Sequence, residues 1–158
     1  MKKFAIVSLF ALAALGFVSA ATTGTVAMTG TVAAQLALTL PTAFTATMDD
    51  TSGATNTWSI GNIGVTSNYS SWTISISSAN GGYLKNGANG SETAAYTMTL
   101  GSLASAKSLS SAWTSQAQAK TPKAGSTYAL SIAFTASTTT FWQTGSYTDT
   151  LTVTIAGS

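Results

Sequence analysis

Apolar and polar residues alternate with a period of two along most of the chain, and this pattern predicts β-strands. The longest run covers residues 24–40, where every even position is apolar or glycine. It is 17 residues long, whereas an ordinary strand has about 5–6 residues. Glycine often marks a corner where a strand bends, so we expect a hinge near Gly30. The run then divides into an N-terminal extension, residues 21–31, and a first domain strand within residues 32–40.

Shorter alternating segments follow, and the connections between them carry turn residues. Gly61-Asn62 predicts a tight turn or bulge, residues 79–92 a loop or hairpin, and residues 101–125 a long connection containing a turn of helix. The expected strands are residues 44–48, 58–60 and 63–65 on either side of Gly61-Asn62, 72–76, 96–100, 128–134 and 147–155. About seven strands without a sustained helix predict an all-β fold, an antiparallel immunoglobulin-like β-sandwich over residues 32–158.

The first twenty residues have the three parts of a secretory signal peptide. Lys2 and Lys3 precede an apolar run over residues 4–17, and small residues follow at 18–20. This pattern predicts export, with residues 1–20 removed. The apolar run is shorter than the roughly 20 residues that a membrane span needs, so we do not expect an integral membrane protein.

Charged residues are scarce in the remainder of the chain, while hydroxyl residues are abundant. Residues 21–158 contain four lysines, four acidic residues and no arginine, against 29 threonines and 20 serines. A near-neutral surface without arginine argues against nucleic acid as a partner. Apolar residues remain frequent and periodic, so the composition predicts a hydroxyl-coated β protein and not a disordered one.

The side chains that most often carry enzyme chemistry are missing. The chain has no histidine and no cysteine, so the commonest general base and metal ligand are unavailable. The four carboxylates are Asp49 and Asp50 in a predicted turn, Glu92 in a polar loop, and Asp149 at the start of the last strand. A calcium site needs about six to eight oxygen ligands, which one acidic pair does not supply. We therefore expect no catalytic residues, no bound metal and no cofactor.

The tryptophans suggest an alternative role in binding. Trp58 and Trp72 are in phase with apolar strand positions and are expected in the core. Trp113 and Trp142 lie in or beside predicted loops, as does Tyr83. Exposed aromatic side chains mark interaction sites, so these three are candidate ligand aromatics of a secreted carbohydrate-binding or adhesive module.

The last strand carries the motif of a known family. The segment GSYTDTLTVTIAG, residues 145–157, resembles the closing strand of the spore coat protein U and of related secreted pilin-like domains. The matching residues are Gly145, Tyr147, Asp149, Leu151, Val153 and Ile155. The resemblance implies an incomplete immunoglobulin-like sandwich that is completed by a strand donated from a neighbouring subunit.

This resemblance implies an exported structural subunit of a surface fibre, pilus or coat, which passes through the periplasm and forms a head-to-tail polymer. The candidate donor strand lies in residues 21–31. Val26 and Met28 would fill pockets in the groove of the neighbouring subunit, and Gly24 and Gly30 would lie where that groove is shallow. Alternatively, residues 24–30 form the first edge strand of their own domain. The sequence leaves both arrangements open.

Overall fold

The computed structural model describes residues 23–88 and 90–158, and within these residues it contains twelve β-strands and no helix. The predicted signal peptide lies outside the described residues. The strands are β1 (Leu36–Thr39), β2 (Thr55–Ser67), β3 (Ser71–Ser78), β4 (Tyr83–Asn86), β5 (Thr93–Ala95), β6 (Thr97–Leu100), β7 (Ala104–Ser108), β8 (Trp113–Thr114), β9 (Gln118–Ala119), β10 (Ser126–Thr135), β11 (Tyr147–Thr148) and β12 (Leu151–Gly157).

The chain divides into two compact units, Met1–Val32 and Ala33–Ser158. In the described part of the first unit, residues 23–32 form no strand, and their large apolar side chains are exposed. All twelve strands belong to the second unit. No helix of the described chain is long and apolar enough to cross a membrane.

The larger sheet has five strands in the order β1-β2-β10-β6-β7. Its longest pairing joins β10 to β2 in antiparallel fashion, with a register shift opposite Leu130 and Ser131. Leu130 faces Gly61 and Ser131 faces Ser59, so Ile60 is the extra residue of a bulge. The bulge thus lies one residue before Gly61-Asn62, where a tight turn or bulge was predicted, and Gly61 and Asn62 themselves pair with β10 inside one continuous strand. Pro41 packs against Gly61, where an added Cβ would lie 2.7 Å from the Cβ of the proline.

The opposite layer consists of two smaller sheets. One has the order β12-β3-β8, with β9 also pairing to β3, and the other has the order β11-β4-β5. All pairings of the two layers are antiparallel. The fold is therefore all-β, antiparallel and sandwich-like, as the alternation along the sequence predicted.

The inner faces of the sheets share one hydrophobic core. In β3, Trp72, Ile74 and Ile76 are fully buried, while the residues between them are half-buried. Fully buried members of the core include Ile63, Val65, Trp72, Ile74, Ile76, Met98 and Leu100. The Trp72 indole N–H donates to the carbonyl of Ala119 at 2.7 Å, which satisfies the one polar atom that its burial removes from water.

Several sequence expectations differ from the structure. The alternation of residues 24–40 becomes a strand only in Leu36–Thr39, and β1 stops before Pro41 because proline has no N–H to donate. Residues 44–48 form no strand. The turn of helix expected in residues 101–125 was wrong, because that segment contains the short strands β7, β8 and β9. The expected last strand is two strands, β11 and β12, separated at Asp149.

Candidate functional site

An apolar groove opens in the second unit where the chain leaves β1. One wall is residues 40–44, which have no regular structure, and the other is residues 147–153. The groove has a volume of about 400 Å³. Its floor is formed by core side chains, among them Trp58, Ile60 and Ile132. The hydrophobic interior is thus accessible from outside along this line.

The strands beside the groove are both edge strands. Among the described residues β1 pairs with β2 alone, and β12 pairs with β3 alone. The outer edge of each strand therefore presents backbone N–H and C=O groups without a strand partner. An edge of this kind is a template for another strand.

The inward side chains of β12 show that the sandwich is less closed here than elsewhere. Val153 lies opposite Ile76, and Ile155 lies opposite Ile74. Both isoleucines of β3 are fully buried, whereas Val153 and Ile155 are only half-buried. β12 is the edge strand of this sheet, and β1 of the opposite layer approaches it without pairing. The side chains at this edge are therefore only partly covered.

Asp149 fixes the beginning of β12. Its carboxylate accepts hydrogen bonds from the hydroxyls of Tyr96 at 2.5 Å and Ser78 at 2.6 Å. It also accepts hydrogen bonds from the backbone N–H groups of Asn80, at 3.0 Å, and Thr150, at 2.7 Å. Burial, together with the carboxylate of Asp149, raises the pKa of Tyr96 well above its usual value. Four donors on one carboxylate hold the groove wall against the end of β3 and against Tyr96, which lies between β5 and β6.

The turn before β11 fits the predicted closing motif. The Tyr147 hydroxyl donates to the carbonyl of Gln143 at 3.1 Å, a bond back to a nearby backbone group. Gly145 has φ of 150°, and a Cβ there would lie 2.6 Å from Oδ1 of Asn86. Glycine is therefore required at position 145. Leu151, Val153 and Ile155 all face inward along β12.

The remaining acidic side chains accept hydrogen bonds from backbone N–H groups of loops. Asp49 accepts the N–H of Thr51 at 2.9 Å, an Asx-turn that lowers the pKa of Asp49. Asp50 accepts the N–H of Trp142, and Glu92 accepts that of Gln143, each at 2.9 Å. In residues 23–88 and 90–158 no three histidine, cysteine or acidic side chains group together as metal ligands.

The three candidate ligand aromatics lie on different elements. Trp142 contacts the rings of Phe134 and Tyr147 and lines a second cavity of about 420 Å³ beside the groove. Trp113 is in β8 and packs partly buried against the core, while Tyr83 is in β4 and is 42% exposed. Of the three, only Trp142 lines a cavity described above.

The N-terminal extension presents apolar side chains to the outside, whereas the groove is an apolar recess. Val26 is 87% exposed and Met28 is 92% exposed. Around Gly24 and Gly30, nothing would lie within 4 Å of an added Cβ. The sequence analysis predicted these four residues as the candidate donor strand. It did not predict that residues 40–44 and the core side chains of the floor form a groove. The one local signal is Pro41, which follows an alternating run and marks the end of a paired strand.

In comparisons with known proteins, no family model matched the chain and no curated protein matched it significantly.

Proposed function

We propose that the protein is an exported structural subunit of a cell-surface fibre, pilus or coat, in which the extension of one chain fills the groove of the next. One observation carries the proposal. An apolar groove lies beside two free strand edges, and the same chain has an exposed, unpaired segment with strand-like alternation. Addition of a strand to an edge gains affinity from backbone hydrogen bonds and specificity from alternate side chains.

The exposed side chains of the extension make docking energetically favourable. Val26 and Met28 are almost fully exposed, and burial of each in the groove would contribute about 1.5–3 kcal/mol. Gly24 and Gly30 have the same phase and present no side chain, so the backbone can approach the groove closely at these points. The backbone hydrogen bonds add to this gain.

Residues 40–48 run beside the groove and the adjoining cavity without forming a strand. Residues 23–35 form no strand in the structure, which favours donation over the alternative of an edge strand paired within its own domain.

Head-to-tail docking of one strand into the next subunit is a heterologous contact. Such a contact leaves a free groove at one end and a free extension at the other, so it produces an open polymer unless the rotation closes a ring. We therefore infer assembly of identical chains into a fibre.

The test compares two double variants of the exported chain. Val26→Asp with Met28→Asp places charges on the face that enters the groove, and should abolish polymers in size exclusion and electron microscopy. Thr25→Asp with Ala27→Asp places the same charges on the opposite face, and should leave assembly intact. Deletion of residues 21–30 should also yield monomers. Polymers of normal length from the deleted chain would refute the proposal.

A carbohydrate-binding role is the alternative, and it draws on the position of Trp142 beside the second cavity. Aromatic rings in such a position can stack against sugars. A polysaccharide pull-down that is lost in Trp142→Ala would support this role, and absence of retention on any tested polysaccharide would count against it.

A further inference from the structure

The side chain of Asn68 holds the backbone at the point where the second unit begins. Its Nδ2 donates to the carbonyl of Ala33 at 2.7 Å, and its Oδ1 accepts the N–H of Gln35 at 2.7 Å. The backbone N–H of Asn68 also donates to the carbonyl of Gln35 at 3.1 Å. Ala33 is the first residue of the second unit. The three bonds fix residues 33–35 directly before β1.

Asparagine is suited to this arrangement because its amide has a donor and an acceptor in one plane, as a peptide group does. Aspartate at this position could accept from Gln35 but could not donate to Ala33. The three bonds hold Ala33 and Gln35, at either end of a three-residue segment that is otherwise exposed.

We propose that Asn68 is a positioning residue, which sets the point where the extension leaves the domain and keeps the link between neighbouring subunits short. This inference rests on the proposed strand donation. If residues 23–30 are docked in a neighbour, two residues, Thr31 and Val32, remain before the fixed segment. Without the side chain of Asn68 the backbone bond to Gln35 remains, so the link grows to the four residues 31–34. At about 3.3–3.6 Å per residue its maximal reach rises from roughly 7 Å to roughly 14 Å.

The short link makes the polymer stiff. Two residues between a docked strand and a fixed backbone allow little rotation of one domain against the next, whereas four residues form a more flexible connection. A longer link also lets the ends of small assemblies meet, so closed rings become accessible at the expense of open fibres.

The test uses the exported full-length chain, in which the absence of cysteine permits a single label. A fluorophore on Thr31→Cys reports local motion by anisotropy decay. Asn68→Ala and Asn68→Asp should increase that motion. The control is Ser70→Ala, which removes the hydrogen bond from its hydroxyl to the carbonyl of Ser158 without contact to residues 33–35, and should leave the motion unchanged. Equal label motion in all variants would overturn the inference, whether or not the protein assembles.

Electron microscopy of the assemblies provides the second measurement. We expect the persistence length of Asn68→Ala fibres to fall, as the link lengthens from two to four residues, while Ser70→Ala fibres keep the normal value. Fibres of unchanged stiffness from Asn68→Ala would overturn the inference and leave strand donation intact. Failure of the unaltered chain to assemble would refute strand donation, and with it the role of Asn68 in a subunit link.

Discussion

Removal of the Tyr96 hydroxyl is a stringent test of how the groove wall is held. Tyr96 is 4% exposed, and its hydroxyl donates to the Asp149 carboxylate at 2.5 Å. A hydrogen bond to a charged group contributes about 1.5–3 kcal/mol. Tyr96→Phe leaves three donors on Asp149, so we expect the free energy of unfolding to fall by about 1.5–3 kcal/mol. For a domain of this length it corresponds to a fall in Tm of roughly 5–12 °C.

The same tyrosine predicts a specific dependence on alkaline pH. Because burial and the nearby carboxylate raise the pKa of Tyr96, its stabilising contribution is complete below the unfolded pKa of about 10. At higher pH the unfolded chain loses a proton that the folded chain keeps, so stability falls by about 1.4 kcal/mol per pH unit. Tyr96→Phe lacks this loss of stability. The difference in unfolding free energy between the unaltered protein and Tyr96→Phe should therefore shrink above pH ~10.

The assay is urea unfolding followed by far-ultraviolet circular dichroism between pH 8 and 11. Tyr147, whose pKa is raised mainly by burial, is present in both proteins and cancels in the difference. The control is Tyr83→Phe at a residue 42% exposed, which should change the unfolding free energy at pH 8 by less than about 0.5 kcal/mol. If the difference in unfolding free energy between Tyr96→Phe and the unaltered protein stays constant up to pH 11, the assigned role of the Tyr96 hydroxyl is wrong.

Two further substitutions test the packing of the sandwich. Trp72→Ala removes a fully buried ring and its bond to Ala119, and should lower the unfolding free energy by about 3–5 kcal/mol; a loss below 1 kcal/mol in urea unfolding would contradict the core assignment. Gly157→Ala places a Cβ 2.6 Å from the ring of Tyr69 and should cost about 1–3 kcal/mol, whereas Gly24→Ala meets nothing within 4 Å and should leave the thermal midpoint unchanged.

Periodicity was sufficient to predict the parts of the fold that pack against the core. The alternation in β3, β10 and β12 identifies the residues that face inward, because one face of each strand is buried. In the closing motif, the hydrogen bond of the Tyr147 hydroxyl is local, since its acceptor Gln143 lies four residues earlier.

Periodicity was misleading where no partner strand is available. Residues 24–34 alternate as regularly as β3 but form no strand, because an alternating sequence needs an edge to pair with. In residues 101–125 the spacing of Leu103, Leu109 and Trp113 approached that of a helix. Tertiary pairing of β8 and β9 with β3 determines the structure there instead.

The groove could not be predicted from the sequence, because it arises between segments far apart in the chain. Residues 40–44 and 147–153 meet only after β2 and β10 have paired and β12 has joined β3. The contact of Tyr96 with Asp149 depends on the same long-range arrangement. Local signals such as Pro41 mark the end of β1 but do not indicate what lies beside it.

The most direct measurement of strand donation is calorimetric titration of a peptide with the sequence of residues 23–32 into the chain that starts at Ala33. We predict one bound peptide per domain, with binding abolished by Val26→Asp and Met28→Asp in the peptide and retained with Thr25→Asp and Ala27→Asp. Absence of binding by the unaltered peptide, or equal binding by the two altered peptides, would contradict the assembly of subunits by an exchanged strand.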